Sequence, residues 1–435
     1  MSEFNFIKKL LKIKDEHIQI TGEPFEETIK RQVCTLIPAK LYNRPSSCVN
    51  CGFDSYIVHD WIESRVLLPS VVRYKTFLAL KKCRFTCKNC HSTVVSETDL
   101  VAKNAFISHA VKQGIAIDLQ DKKTIKDIAK DNQVSTSSAY RVFTDLYSTF
   151  TPNYEWLPSV LCFDEFDAGN TTDAAMSFIC MDGMNGEIVD IVENRRLPFL
   201  EKYFLKYSRK ARMKVKYIVI DMYSPYMSLA KRLFPKAQLI IDRFHIVKLI
   251  GEAMKSTRVE IMNGFKRSSD LEAMKKYRKL KRYWMLLQKS RDKLNTTQYK
   301  KYIGFQKLMT SAGVVEEILS YSEELKRHYQ IYQEFLWAFQ EKDTQEVQRI
   351  VEENKGKTNK KFQSVFRSYK KFLSGILNAL RLPYSNGKLE AQNNHIKVLK
   401  RIAYGYRNFF NFRRRIFIVK GYLKPSIRSL NIAIA

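Results

Sequence analysis

Val160-Leu-Cys-Phe-Asp164 and Val215-Lys-Tyr-Ile-Val-Ile-Asp221 are the two stretches that decide how this chain folds. Each is a short apolar run rich in branched or aromatic residues, and each ends in an aspartate. Runs of that length and composition, bounded by turn signals, read as buried strands. Between them lie two more, Ala174-Ala-Met-Ser-Phe-Ile-Cys-Met181, turned by Asp182-Gly183, and Glu187-Ile-Val-Asp-Ile-Val192. A helix follows from Pro198 to Tyr207. Beyond Asp221 come a helix from Ser224 to Phe234, with Pro225 suited to its first turn, and a strand from Ala237 to Asp242.

Strand, strand, strand, helix, strand, helix, strand is the order of a ribonuclease-H-like core. In that fold the first and fourth strands are neighbours, so Asp164 and Asp221 are expected to share one sheet edge. Two carboxylates that close repel each other unless a cation lies between them. Hard oxygen ligands suit Mg2+, and a pair of such ions about 4 Å apart can activate an attacking oxygen and stabilise a leaving one in phosphoryl transfer. A lone strand-end aspartate more often caps a turn; two in this order point to chemistry. A third acid stands in Ser385-Asn-Gly-Lys-Leu-Glu390-Ala-Gln-Asn-Asn-His-Ile-Lys397-Val-Leu-Lys400-Arg401. Ser385 or Asn386 can cap a helix there, and Glu390, Asn394 and Lys397 share a face of it. By periodicity alone Glu390 reads as an ordinary surface acid.

The rest of the composition agrees with a nucleic-acid enzyme. The chain has 435 residues, enough for several domains, and 75 Lys and Arg against 44 Asp and Glu give a net charge of +31. An excess of that size favours a polyanion, because neutralised phosphates release counterions. No apolar run reaches membrane-span length, and the start, Met1-Ser-Glu-Phe-Asn-Phe-Ile-Lys-Lys9, lacks a signal-peptide core. The expectation is a soluble, cytoplasmic, nucleoid-associated protein.

Cys48-Val-Asn-Cys51 and Cys87-Lys-Asn-Cys90 are two Cys-x-x-Cys knuckles, which together can close a tetrahedral zinc site. Four protein ligands leave no open position, so one structural zinc is expected. Cys83 and His91 are weaker substitutes as ligands. The intervening residues, Arg65-Val-Leu-Leu68 and Val71 to Leu80, alternate as strands.

Farther along, Thr124 to Phe143 reads as a helix-turn-helix. Ile125, Ile128 and Ala129 form one apolar face, Asn132-Gln133 the turn, and Val134 a plug; Ser135 caps a second helix buried through Ala139, Val142 and Phe143. That arrangement leaves Ser137, Ser138, Tyr140 and Arg141 among the residues of the exposed, N-terminal half of a recognition helix.

Several blocks resemble one family. Phe163-Asp-Glu-Phe, Ile220-Asp-Met-Tyr-Ser-Pro-Tyr, Asp242-Arg-Phe-His245, Asn386-Gly-Lys-Leu-Glu-Ala-Gln-Asn-Asn-His-Ile-Lys and Arg401-Ile-Ala-Tyr-Gly-Tyr-Arg-Asn-Phe look like the signature blocks of the ISL-three transposases of bacterial insertion sequences. The resemblance implies a DDE triad of Asp164, Asp221 and Glu390 holding two Mg2+ or Mn2+, and supporting roles for Asp242 and His245. It also implies double-stranded DNA as partner, both terminal inverted repeats and target; cutting two ends together implies, by mechanism rather than by any sequence pattern, at least a dimer, a homodimer on DNA. Asp167-Ala-Gly-Asn170 replaces the Lys-Gly common in the family. Contacts to phosphate are expected from Lys397, Lys400 and Arg401.

The expected layout is multidomain α/β. It comprises an N-terminal segment (1–45), a zinc-binding element (46–100), a helix-turn-helix domain (101–155), the first part of the core (156–247), an all-helical insertion (248–380) and the C-terminal part of the core with Glu390 (381–435). The function expected is metal-dependent cleavage and strand transfer at the ends of the element. The alternatives are a DNA-binding regulator derived from a transposase and a ribonuclease-H-like nuclease or resolvase.

Overall fold

The computed structural model describes residues 3–169, 176–267, 270–354 and 356–426. The chain divides into two compact units, Met1–Thr151 with Ile396–Ala435, and Pro152–His395.

The first unit opens with helix α1 (Glu3–Leu10) and a mixed sheet of β1 (Ile18–Ile20), β2 (Phe25–Ile29), β3 (Gln32–Leu41), β4 (Tyr56–Val71), β5 (Tyr74–Cys87) and β6 (Thr93–Val95). The path runs β1-β3-β5-β4, with β2 on β3 and β6 on β5. Strand β3 pairs in parallel with β5, and β4 and β5 form a long antiparallel hairpin. Ile18, Ile37, Leu41, Val66, Leu78 and Leu80 fill the core of this sheet. The strand expected to begin at Val71 is cut by the hairpin turn itself: Val72 and Arg73 both have positive φ, 49° and 68°. Two such residues make the tight turn that matches strand twist. It is normally marked by Asn or Gly, so Val-Arg gave no warning.

Three helices follow: α2 (His109–Asp118), α3 (Ile125–Asp131) and α4 (Thr136–Leu146). Hydroxyls of Ser108, Thr124 and Ser135 cap them, each accepting from a backbone N–H of the first turn. Gln133 turns the chain between α3 and α4 with φ 54°. Ile128, Ala139, Val142 and Phe143 are buried.

The second unit is built on a five-stranded sheet: β7 (Val160–Phe166), β8 (Ser177–Asp182), β9 (Ile188–Val192), then α5 (Leu197–Phe204), α6 (Arg209–Lys214), β10 (Tyr217–Ile220), α7 (Ser224–Leu233) and β11 (Gln238–Ile241). Its strand order is β11-β10-β7-β8-β9. The first three strands form an antiparallel meander, and β10 and β11 run parallel to β7. Strand β7 runs two residues past Asp164, which therefore stands inside it. Asp221 and Asp242 stand one residue beyond β10 and β11. Of the expected second strand, Ala174 and Ala175 lie outside the described residues, as does Asn170 of the Asp167–Asn170 block. Aromatic rings lock one layer of the core: Phe163 meets Phe178 at 5.1 Å and Phe204 meets Phe234 at 5.3 Å between centroids.

Helix α8 (Arg243–Lys266) starts directly after β11, so the helical region begins before residue 248. It continues through α9 (Leu271–Arg282), α10 (Trp284–Gln288), a small ribbon of β12 (Lys300–Lys301) and β13 (Leu308–Met309), α11 (Ser311–Leu319), α12 (Glu323–Gln340), α13 (Thr344–Glu353) and α14 (Lys360–Arg381). The ribbon departs from the all-helical expectation. Helix α14 packs back on β11, and Gly375 allows the approach: a Cβ there would lie 2.9 Å from Ile241 Cγ1. The tyrosine hydroxyl of Tyr369 and the amide of Asn378 fix the same helix to the carbonyls of Ile246 and Leu239.

Helix α15 (Gly387–Ile402) follows, and then α16 (Phe409–Val419). Residues 381–435, expected together as the end of the core, are divided: those up to His395 group with the second unit and those from Ile396 with the first. The reason is packing. Ile418 belongs to the same buried cluster as Val111, Ile115, Ile128, Phe143 and Leu146.

Candidate active site and metal centres

Strands β7 and β10 pair in parallel with Val219 beside Cys162, so Asp221 and Asp164, each two residues further on, arrive at one end of the sheet. Adjacent strands are about 4.8 Å apart. Asp221 is pushed up to about 8, first by burial and then by the charges of Asp164 and Asp242, with Glu165 adding less. Asp164 is raised too, again chiefly by burial. So much negative charge withdrawn from water is unfavourable on its own.

The acids are not held alike. Asp221 Oδ2 lies 3.1 Å from His245 Nε2. One oxygen each of Asp221 and Asp242, with a ring nitrogen of His245, lie within 4.8 Å of one another, close enough for one ion. Asp242 is buried, and its Oδ1 accepts from the backbone N–H of Asn386 at 3.1 Å. Asp164 instead accepts 2.7 Å from the Asn393 side-chain amide. Glu390 is exposed, one turn before Asn393 on α15. The described side chains thus gather Asp221, Asp242 and His245, while Asp164 and Glu390 stand outside that group.

Five contacts were missed in the sequence. Asn393, rather than Asn394, points to an acid, because α15 turns its 386-389-393 side toward the sheet; the side-chain amide of Asn386 reaches the Phe163 carbonyl at 3.2 Å. Glu165, the next residue along β7, accepts from the Tyr226 hydroxyl at 2.7 Å and pairs with Arg195. Arg195 also covers the ring of Tyr223, two residues past Asp221. Only the run of amides beside Glu390 could have hinted at the first of these.

The cysteine site is compact. Sulfurs of Cys48, Cys51, Cys87 and Cys90 lie within 4.8 Å of one another, with Cys48–Cys90 at 3.6 Å and Cys51–Cys87 at 3.7 Å. Tetrahedral zinc with bonds of about 2.3 Å sets sulfurs about 3.8 Å apart, so the four residues fit that ion. Cys83 and His91 are not in the group. Ser92 is an added neighbour: its hydroxyl lies 3.3 Å from the sulfur of Cys48 and 3.0 Å from that of Cys90. It is the first cause, ahead of the backbone amides of Cys51 and Asn50, that brings Cys48 down to about 5, and it also brings Cys90 to about 7. Both move toward the thiolate that a metal requires.

Of the residues expected to meet DNA, Ser137, Tyr140 and Arg141 are exposed on α4. Ser138 is partly covered; its hydroxyl accepts from Ser135 at 2.9 Å and from Arg141 at 3.3 Å. Lys397 and Arg401 are exposed on α15, with Lys400 half-buried.

The family profile described as transposase, with the ISL3 DDE domain, matches residues 161–416. This chain belongs to the ISL3 transposase family. A second profile, the zinc finger of the transposases of IS204, IS1001, IS1096 and IS1165, matches residues 44–90 and covers the cysteine site. The transposase for insertion sequence element IS1001 of Bordetella parapertussis is 22% identical over 374 residues, 85% of this chain and 88% of that protein. A Lactococcus lactis protein named ATP-dependent protease is 44% identical over 113 residues, 26% of this chain and only 36% of that relative. A nucleotide site of the P-loop type finds no support in the sequence: Gly356-Lys-Thr has Val351 where the loop's first glycine would stand. No described helix of the transposase is long and apolar enough to cross a membrane.

Proposed function

We propose that this transposase binds the terminal inverted repeats of its element and performs metal-dependent DNA cleavage and strand transfer, with Asp164, Asp221 and Glu390 as the acids at the reacting phosphate. The supporting observation is the placement of Asp164 and Asp221 at one end of a sheet whose order, β11-β10-β7-β8-β9, is that of a ribonuclease-H-like core. Helix α15 brings Glu390 to the same unit and ties to Asp164 through Asn393.

Mg2+ bound there would polarise the scissile phosphate and activate the attacking oxygen. The protein's own groups prepare for it. Asn393 fixes one oxygen of Asp164, and His245 holds Oδ2 of Asp221. Asp242, through the N–H of Asn386, fixes the start of α15 against the sheet end. Such outer partners orient ligands and set their basicity. We assign Asp242 and His245 that positioning role.

Sequence recognition is assigned to α3–α4, read as a helix-turn-helix, with Ser137, Ser138, Tyr140 and Arg141 facing the duplex. Lys397, Lys400 and Arg401 are assigned to phosphates. One zinc held by the four cysteines would brace the N-terminal fold. Cutting two ends together needs at least a dimer on DNA.

The test uses the full chain, duplexes carrying the element's own ends, and Mg2+. Specific binding followed by strand cleavage and joining is expected. Hydrolysis without joining would make the protein a nuclease, and binding without cleavage a regulator; either result overturns the proposal.

A further inference from the structure

The first unit carries a groove of about 1270 Å³ between the α3–α4 pair and the turn joining α15 to α16. Its walls include Lys126, Lys130, Thr136 and Tyr140 on one side and Tyr404 and Arg407 on the other. The two sides come from residues more than 250 positions apart, yet they are firmly joined. Arg415, only 2% exposed, donates to the carbonyls of Leu119, Asp121 and Lys123. Arg413 donates to the Phe150 carbonyl at 2.9 Å and covers the rings of Phe150 and Phe417. The Asn411 amide donates to the Tyr140 hydroxyl. Helix α16, which follows directly on the 403–408 turn, is therefore tied to the three-helix group.

Its charged groups are mostly basic, with Asp127 the one acid of the lining. Lys126, Lys130 and Arg407 are exposed and make no ion pair among the described residues. Lys123 is already paired with Asp118 and Asp131, and the single lining carboxylate, Asp127, accepts from the Thr124 hydroxyl at 2.7 Å, leaving a net positive lining. Within the turn Tyr406 stacks on Phe412 at 4.5 Å, whereas Tyr404 is 97% exposed with φ 54°. A bulky aromatic held out to solvent in a left-handed conformation is strained, and such strain persists where surrounding structure fixes it for use.

We propose that this groove is a second DNA contact of the first unit. The phosphodiester backbone of the duplex read by α4 lies against Lys126, Lys130 and Arg407, and Tyr404 stacks on a base at a distorted step. The proposal rests on the reading of α4 as a DNA-binding helix. Cations without partners match phosphate, and an exposed ring has a π-face for any base.

The experiment measures binding of the full-length protein to a random-sequence duplex and to a duplex carrying the element's end, each at two salt concentrations. The variant combining Lys126→Ala, Lys130→Ala and Arg407→Ala is expected to flatten the salt slope by about three on both duplexes, roughly one for each lost phosphate contact. Tyr404→Ala is expected to weaken binding about tenfold, in the range of one lost stacked base, and Tyr404→Trp to restore it. All these positions are on the surface, and melting temperatures equal to that of the parent verify the fold. An unchanged salt slope in the triple variant overturns the proposal. If Arg141→Ala still reduces end preference in that case, α4 remains the reader and only the groove is wrong; if it does not, the reading of α4 fails as well.

Discussion

The side-chain amide of Asn393 donates a 2.7 Å hydrogen bond to Oδ2 of Asp164 across 229 residues of sequence. It couples the helix that carries Glu390 to the strand that carries the first acid. Asp164 is half-buried and its carboxyl is raised chiefly by that burial; its Oδ1 accepts from the Glu165 backbone N–H at 2.8 Å, and the Asn393 donor on Oδ2 fixes the carboxylate's orientation from the other side.

Asn393→Ala should therefore reduce strand cleavage and Mg2+ affinity by about 10- to 100-fold, the usual cost of losing an outer partner of a ligand. DNA binding should be unchanged. Metal titration of cleavage rates checks it, with excess Mg2+ recovering part of the loss. A variant with the parent's metal dependence would assign Asn393 to packing alone.

Asp164→Ala, Asp221→Ala and Glu390→Gln should each abolish cleavage while specific end binding survives. Gel shift and strand cleavage on the same preparations decide this, and substantial cleavage by any one of them removes that residue from the triad. Mg2+ should raise the melting temperature of the parent and not of Asp221→Ala, since the crowded charge that the cation relieves is gone.

Asp242→Asn separates support from ligation. The amide keeps an acceptor for the N–H of Asn386, now 3.1 Å from Asp242 Oδ1. A positioning role predicts a loss of about tenfold in cleavage. Complete loss, equal to that of Asp221→Ala, would make Asp242 a metal ligand in its own right, as its grouping with Asp221 and His245 allows.

Elemental analysis should find about one zinc per chain, lost in the Cys87→Ser, Cys90→Ser double variant. Ser92→Ala should retain zinc but bind it more weakly, because the hydroxyl beside Cys48 and Cys90 favours their thiolates. Zinc surviving in the double variant would exclude the four-cysteine site.

Arg415→Met should destabilise the first unit by about 1–3 kcal/mol, the cost of leaving the carbonyl of buried Leu119 without its donor, since Asp121 is exposed and Lys123 half-exposed. Arg415 also donates to the carbonyls of Asp121 and Lys123, which water can reach. Thermal unfolding of the full chain measures it. For the same reason a fragment ending at residue 150 lacks part of its own core, including Ile418, and is a poor vehicle for testing DNA recognition.

The sequence by itself determined what depends on neighbours along the chain. Continuous apolar runs located the strands bearing Asp164 and Asp221; the capping hydroxyl of Ser135 marked the start of α4; paired cysteines marked the metal site. Glu390 was legible only through family resemblance, because an exposed glutamate on a helix has no local signature. Tertiary structure alone decided the rest. The hairpin at Val72–Arg73 forms because the pairing of β4 with β5 imposes positive φ on residues that would not choose it. Asn393 faces Asp164 because the start of α15 is docked through Asn386, and one residue of helix is a rotation of about 100°, which separates it from Asn394. Helix α16 joins the N-terminal helices because Arg415 and Ile418 find their partners there, and local periodicity shows that a face is apolar without showing what will cover it.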